Sequence, residues 1–280
     1  MIQTLKGMPV VNAISEDLKN KVEELKAKNI VPTLAVVRVG AREDDLSYER
    51  GIIKRFSGVG AEVKICELPE DVTQETIENT VKELNGSKDI HGILVFRPLP
   101  KHLSEERINN IISPEKDVDC STLVNMAQVF AGDSRAYPPC TPQAVVELLK
   151  HYEYDLSGKK VVIVGRSMVV GKPLAMLMLK ENATVTVCHT RTKDLKAECR
   201  NADIIVACAG VAKLIDGDYV TQGQTVVDVG IHEVDGKLCG DVDFEAIENT
   251  VSAATPVPGG VGTVTTSILL KHTVRSASEG

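Results

Sequence analysis

The chain has 280 residues, long enough for two domains, and its 43% hydrophobic and 25% charged residues are the balance of a globular protein with full cores. A net charge of −7 argues against a nucleic-acid surface. No apolar run reaches the roughly 18 residues of a membrane span, and MIQTLKGMPV lacks a signal-peptide core, so a cytoplasmic protein with no membrane contact is expected.

Residues 11–28 carry helical periodicity with charges gathered on one face. Residues 32–38 read as a buried strand ending at Gly40, and residues 46–57 as a helix carrying Tyr48. AEVKICELP is a second strand, residues 72–86 a charged helix, and HGILVF (91–96) a third strand closed by PLP (98–100). KDVDC (116–120) offers Asp117 and Asp119 at i, i+2, and a solvated turn is the favoured reading for Asp117. PPCTPQ (138–143) punctuates the chain before another helix and marks the domain junction.

The most informative stretch, VVIVGRSMVVGKP (161–173), follows. A β-branched run stops at Gly165, Gly171 and Pro173 come next, and then the apolar run LAMLML. That is a buried parallel strand, a glycine turn and a helix start, which aims backbone N–H groups at a phosphate. The glycine spacing is neither GxGxxG nor a Walker loop. Arg166 is the fixed cation in the turn and favours NADP over NAD. ATVTVCHTRT is a second strand ending near His189, Thr190 and Arg191, where an acid would bind the ribose of NAD; Thr190 and Arg191 suit a 2′-phosphate instead. ADIIVACAG ends a third strand at Gly210, and TVVDVGI a fourth at Gly230 and Ile231. TPVPGGVGTVT (255–265) rigidifies a loop with prolines while its glycines let the backbone approach a ligand. The alternation predicts an α/β protein with a mainly parallel sheet covered on both faces. The seven cysteines, at 66, 120, 140, 188, 199, 208 and 239, show no CxxC, and the six histidines no metal pattern, so free thiols and no metal site are expected.

ILVxxPLP, KDVD, PPCTP, VVIVGRSxxVGKP, ATVTxCHTxT, ADIIVAxAG, VVDVGI, GDVDF and TPVPGGVG, in that order and spacing, resemble the bifunctional methylenetetrahydrofolate dehydrogenase/cyclohydrolase (FolD) family over nearly the whole chain. The resemblance implies two domains, usually in a homodimer, with a folate cleft between them. It implies a folate/catalytic domain over 1–138 plus the C-terminal helix 265–280, and a Rossmann-like NADP-binding domain over 139–264. The implied chemistry is NADP-dependent oxidation of 5,10-methylenetetrahydrofolate, then hydrolysis of the methenyl product to 10-formyltetrahydrofolate. By position, Gly165, Arg166, Ser167, Thr190, Arg191 and Ile231 would hold NADP. Tyr48 and Asp119 would serve substrate binding and catalysis, and Pro256, Gly259, Gly260 and Thr265 would line the folate side.

The departures fall at catalytic positions. The family pattern is Tyr, three residues, then Lys, a pair sharing one helical face; here the lysine position is Ile52. The family's VQLPLP reads VFRPLP, so Phe96 stands at the glutamine position, and Arg97 is expected on the opposite strand face. Cys120 stands where the family has glycine, and TVT replaces PMT with Thr265 kept. Lys54 lies about 200° around the helix from Ile52 and cannot substitute. Arg55 returns to the Tyr48 face two turns away, but an arginine is a poor proton shuttle. Losing both members of a hydrogen-bonded pair leaves no orphaned partner and points to retained dehydrogenase with weak or absent cyclohydrolase activity. Two other readings stay open: a non-catalytic protein that binds folate and NADP, and a dehydrogenase for another substrate of the same cleft.

Overall fold

A computed structural model describes residues 2–280. The elements, in chain order, are β1 (Gln3–Thr4), α1 (Gly7–Lys26), β2 (Thr33–Val39), α2 (Glu43–Ser57), β3 (Glu62–Leu68), α3 (Gln74–Gly86), β4 (Gly92–Val95), α4 (Glu105–Asn109), α5 (Leu123–Ala131) and α6 (Cys140–His151). They continue with β5 (Lys160–Val164), α7 (Gly171–Lys180), β6 (Thr184–Cys188), α8 (Leu195–Arg200), β7 (Ile204–Ala207), β8 (Thr225–Asp228), β9 (His232–Val234), β10 (Lys237–Cys239), α9 (Phe244–Ile247), β11 (Ala253–Ala254) and α10 (Val261–Glu279).

The chain forms two compact units. One holds Asn12–Cys140 and Thr266–Gly280 around a three-stranded parallel sheet in the order β3-β2-β4. β2 is central and buried from Leu34 to Val39, because β-branched residues fill both faces of a covered parallel sheet. Val37 and Val39 pack with Ile77, Val81 and Leu84 of α3 and with Ile93 and Val95 of β4. Each such burial is worth about 1.5–3 kcal/mol. α2 begins at Glu43, ahead of the expected Leu46, because Glu43, Asp44 and Asp45 suit the positive end of the helix. It is anchored through Glu49, whose carboxylate accepts from the buried Arg38 guanidinium of β2 at 2.9 Å.

The other unit holds the residues up to Val11 and Thr141–Thr265. Its six-stranded sheet runs β1-β11-β8-β7-β5-β6, with every pairing parallel. β6 lies on one side of β5 and β7 on the other, so the strand order reverses at the carboxyl end of β5, where doubly wound sheets bind ligands. The β9–β10 hairpin stands apart as an antiparallel pair. Residues 1–138 were expected together; the contacts group the residues up to Val11 with the large-sheet unit. β1 pairs with β11 and carries the residues before Asn12 into the larger sheet. Two residues of edge strand show no periodicity, so the sequence pattern could not reveal this. No helix among the described residues is long and apolar enough to cross a membrane.

Candidate active site

In the small-sheet unit, α2 places Tyr48 and Ile52 one turn apart. Ile52 is fully buried, while Tyr48 keeps 40% of its surface exposed. Phe96 continues β4 by donating its N–H to the Val37 carbonyl at 3.0 Å, and its ring lies 5.5 Å from the Tyr48 ring, tilted 33°. Phe96 is itself buried, so an apolar wall stands on one side of the tyrosine. Arg97 turns away to Asn109, with its Nε 3.9 Å from Glu105. Its carbonyl accepts from the Arg42 guanidinium at 3.2 Å, and Arg42 is also paired with Asp45, which ties the start of α2 to this loop. Arg55 is partly buried, which lowers its pKa, and among the described residues it has no ion-pair partner.

Asp119 approaches the same tyrosine from the segment before α5. Its Oδ1 accepts the Cys140 N–H at 3.1 Å. Burial raises its pKa; the bonds from Cys140 oppose that shift, the neighbouring Asp117 adds to it, and the Arg97 charge opposes it. Burial likewise drives the Tyr48 hydroxyl well above the ordinary tyrosine range, aided by the Asp119 and Cys140 charges and opposed by a hydrogen bond with Thr266. A neutral phenol beside a carboxyl is therefore the resting state. Asp117 has a different task. It is fully buried and accepts from the N–H and hydroxyl of both Ser121 and Thr122, at 2.7–2.9 Å, and from Asn125 Nδ2 at 3.0 Å. Thr122 then caps α5 through the Asn125 N–H. Cys120, at the position where the resembled family has glycine, is buried and left-handed with φ +58°, a conformation that favours glycine.

In the large-sheet unit, Gly165 ends β5 with φ +137°, and a Cβ there would strike the Cys208 carbonyl. A Cβ at Gly171 would strike the Gly165 carbonyl. Both glycines let the turn fold onto itself and onto the end of β7, which explains their unusual spacing. Ser167 Oγ accepts from the Val170 N–H at 3.0 Å and so braces the turn from within. Arg166 and Arg191 are exposed, at the ends of β5 and β6, and among the described residues neither has an ion-pair partner. Thr190 is exposed beside Arg191, and Ile231 is 68% exposed beyond the end of β8. In the loop after β11, Gly259 has φ +103° and its carbonyl accepts from the Gly7 N–H at 2.8 Å. A Cβ at Gly260 would meet the Pro256 carbonyl. Thr265 turns its hydroxyl to the Val261 carbonyl at 3.4 Å.

Three groups that the sequence reading passed over organise these segments. Thr266, and not its neighbour Thr265, bonds to Tyr48; only the helical phase of α10 separates the two. Asp228, at the end of β8, accepts from the N–H groups of Gly230, Asp241 and Val242, each at 2.9 Å. Burial pushes its carboxyl up to about 6 against those bonds. Asp241 is fully buried and accepts from the N–H groups of Ala209, Gly210 and Val211 and from His232. The signal was present as DVG and GDVD, each a glycine next to or near an aspartate at the end of a strand.

The doubly wound sheet, with its glycine turn and free arginines at the carboxyl edge, places the chain among two-part α/β proteins of the dinucleotide-binding kind. A family model described as tetrahydrofolate dehydrogenase/cyclohydrolase, catalytic domain, matches residues 5–119, and its NAD(P)-binding domain counterpart matches residues 139–280. The bifunctional protein FolD of Carboxydothermus hydrogenoformans is 54% identical over 279 residues, covering 99% of this chain and 97% of that protein. FolD of Clostridioides difficile is 54% identical, covering 98% of this chain and 96% of its own length. The crystal structure of FolD from Campylobacter jejuni has a TM-score of 0.97 at 41% identity, covering 100% of this chain and 99% of that one. That of Trypanosoma brucei FolD, complexed with NADP cofactor and inhibitor, has a TM-score of 0.93 at 36% identity, covering 99% and 98%. The chain belongs to the tetrahydrofolate dehydrogenase/cyclohydrolase family, the FolD proteins.

Proposed function

We propose that this protein oxidises 5,10-methylenetetrahydrofolate to 5,10-methenyltetrahydrofolate with NADP, and that it hydrolyses the product to 10-formyltetrahydrofolate weakly or not at all. Its relatives are named as bifunctional enzymes, and the one from Trypanosoma brucei was crystallised with NADP. The residues present fit that dinucleotide. Two exposed arginines, without acidic partners among the described residues, stand at the ends of β5 and β6, beside a turn whose glycines leave its backbone bare. Arg166 and the turn around Gly165 and Ser167 would hold phosphate, with Thr190 and Arg191 on the ribose 2′-phosphate and Ile231 against a flat ring. NADP, when bound, supplies the nicotinamide that takes a hydride from the one-carbon bridge.

The remaining work of this step is alignment. Asp119 would accept from adjacent N–H groups of the pterin, a charge-assisted pairing that fixes the ring in its plane. Tyr48, kept neutral, would pack on the substrate and donate its hydroxyl. Pro256, Gly259, Gly260 and Thr265 would line the folate side with backbone and one hydroxyl.

Hydrolysis is more demanding. Water adds to the methenyl carbon, a proton leaves, and a C–N bond then opens, so a proton carrier is worth typically about 10²–10⁴-fold. The observation that carries the reading is the side of Tyr48 where that carrier is expected. Ile52 is fully buried one turn along α2, and the Phe96 ring lies 5.5 Å from the tyrosine ring. Neither can move a proton.

A paired assay on one preparation tests this, following NADPH formation from methylenetetrahydrofolate and, separately, loss of methenyltetrahydrofolate absorbance above the buffer rate. Oxidation without enzymatic hydrolysis is the expected result. Comparable rates of both would overturn the loss of hydrolysis. The absence of both would turn the protein into a binding homologue or a dehydrogenase for another substrate.

A further inference from the structure

At the carboxyl edge of the large sheet, two carboxylates and two glycines lock together reciprocally. A Cβ at Gly230 would collide with the Asp241 carboxylate, and a Cβ at Gly240 would collide with the Asp228 carboxylate. Each acid thus occupies the notch left by the other segment's glycine and takes hydrogen bonds there. The segment carrying Asp241 is itself fixed, since Lys213 donates to the Gly240 carbonyl at 3.0 Å and Ile215 to that of Asp241 at 2.9 Å.

Asp241 reaches two loops from this fixed point. Oδ2 accepts from Ala209 at 2.5 Å and Gly210 at 2.9 Å, while Oδ1 accepts from Val211 at 3.1 Å. These amides belong to the loop after β7. Oδ1 also takes the His232 ring Nε2 at 2.7 Å, on the segment that follows β8. Val211 and Ile231, the apolar residues these bonds hold, are 51% and 68% exposed. Exposed apolar side chains on a rigid rim at the carboxyl end of a doubly wound sheet suit the flat face of a nucleotide ring.

We infer that His232 and Asp241 are positioning residues for the nicotinamide dinucleotide. Asp241 freezes the loop after β7, and His232 links that same carboxylate to the segment bearing Ile231. The two rims then meet the cofactor already ordered. Their contribution lies in binding, because neither side chain is required at the carbon that loses hydride. The inference rests on the proposed use of NADP and extends it to residues outside the turn at Gly165.

The experiment is a titration of NADPH fluorescence, with KM for NADP and kcat measured alongside, on the wild type and on His232→Ala and His232→Gln. Side-chain exposure of 22% makes His232 the tolerant end of the pair. Loss of the link should raise the Kd for NADPH and the KM for NADP about five- to tenfold in His232→Ala, the scale of re-ordering one or two side chains on binding, with kcat held within about twofold. His232→Gln places an amide N–H where the ring Nε2 now meets Asp241 and should recover most of the affinity. An unchanged Kd in a folded His232→Ala protein would overturn the inference while leaving the proposed function intact, as would equal losses in the alanine and glutamine variants. Failure of the wild type to bind NADPH would overturn the proposed function and the inference together.

Discussion

At the scale of single residues, the proposed loss of hydrolysis is tested at Ile52 and Phe96. Ile52 and Phe96 are both buried, so neither position will accept a polar side chain alone. An ammonium at the Ile52 position without a partner would be a buried, unsatisfied charge. Ile52→Lys is therefore expected to lower the melting temperature sharply. Combination with Phe96→Gln supplies a hydrogen-bond partner, and the double variant should regain stability over the single one and raise methenyltetrahydrofolate hydrolysis about 10–10²-fold. Melting curves and the hydrolysis assay on the three proteins check this, and a double variant with no gain in hydrolysis would show that the missing lysine is not the limiting group. Asp119 makes the opposite test. Burial raises its pKa, so its charge is held at a cost to folding. Asp119→Asn keeps an oxygen for the Cys140 N–H and should melt no lower than the wild type. It should lose about 10–100-fold in kcat/KM for the folate, the value of a charged hydrogen bond of roughly 1.5–3 kcal/mol. Retained kcat/KM would remove Asp119 from the substrate site.

At the scale of elements, the alternation of buried strands and charged helices could be read directly, because β2, β4, β5, β7 and β8 are short continuous apolar runs bounded by glycine or turn residues. What could not be read was set by distant contacts. β1 and β11 are two residues each and exist only through pairing with one another and with β8. The glycine turn after β5 was legible as a turn, but the need for Gly165 comes from the Cys208 carbonyl, which is distant in sequence. Asp117 shows how far local pattern misleads. A solvated turn is the favoured sequence reading for Asp117 alone, yet this aspartate is fully buried and collects donors from Ser121, Thr122 and Asn125 to start α5. Asp117→Ala would strand those donors, each costing about 1–3 kcal/mol when buried and unpaired. A loss of about 3 kcal/mol or more is expected in urea denaturation, with activity falling too because Asp119 rides on the same turn. A loss under about 1 kcal/mol would mean that water replaces the carboxylate.

At the scale of the whole molecule, the reciprocal carboxylate lock ties the stability of the large-sheet unit to pH. Burial pushes the Asp228 carboxyl up to about 6. DVG and GDVD are visible in the sequence, but the lock that joins Asp228 to Gly240 and Asp241 to Gly230 is not, because it spans a hairpin whose length carries no pattern. In the unfolded chain the same group titrates near the ordinary carboxylate value of about 3.9. Between those two values the folded protein holds the extra proton, so this residue favours folding more as pH falls from about 7 toward 4. That contribution is lost as pH rises through about 6. The shift amounts to something on the order of 1–3 kcal/mol at most, since a pKa unit is worth about 1.4 kcal/mol. Asp228→Asn should be less stable throughout, because its amide would turn a donor toward N–H groups that now point at a carboxylate. The difference in unfolding free energy between wild type and variant should widen as pH is lowered from 7.5 to 4.5. Urea denaturation across that range measures it, with other carboxylates contributing equally to both proteins and so cancelling in the difference. A gap that stays constant with pH would place the ionisation of Asp228 outside the range and remove the link between the lock and pH.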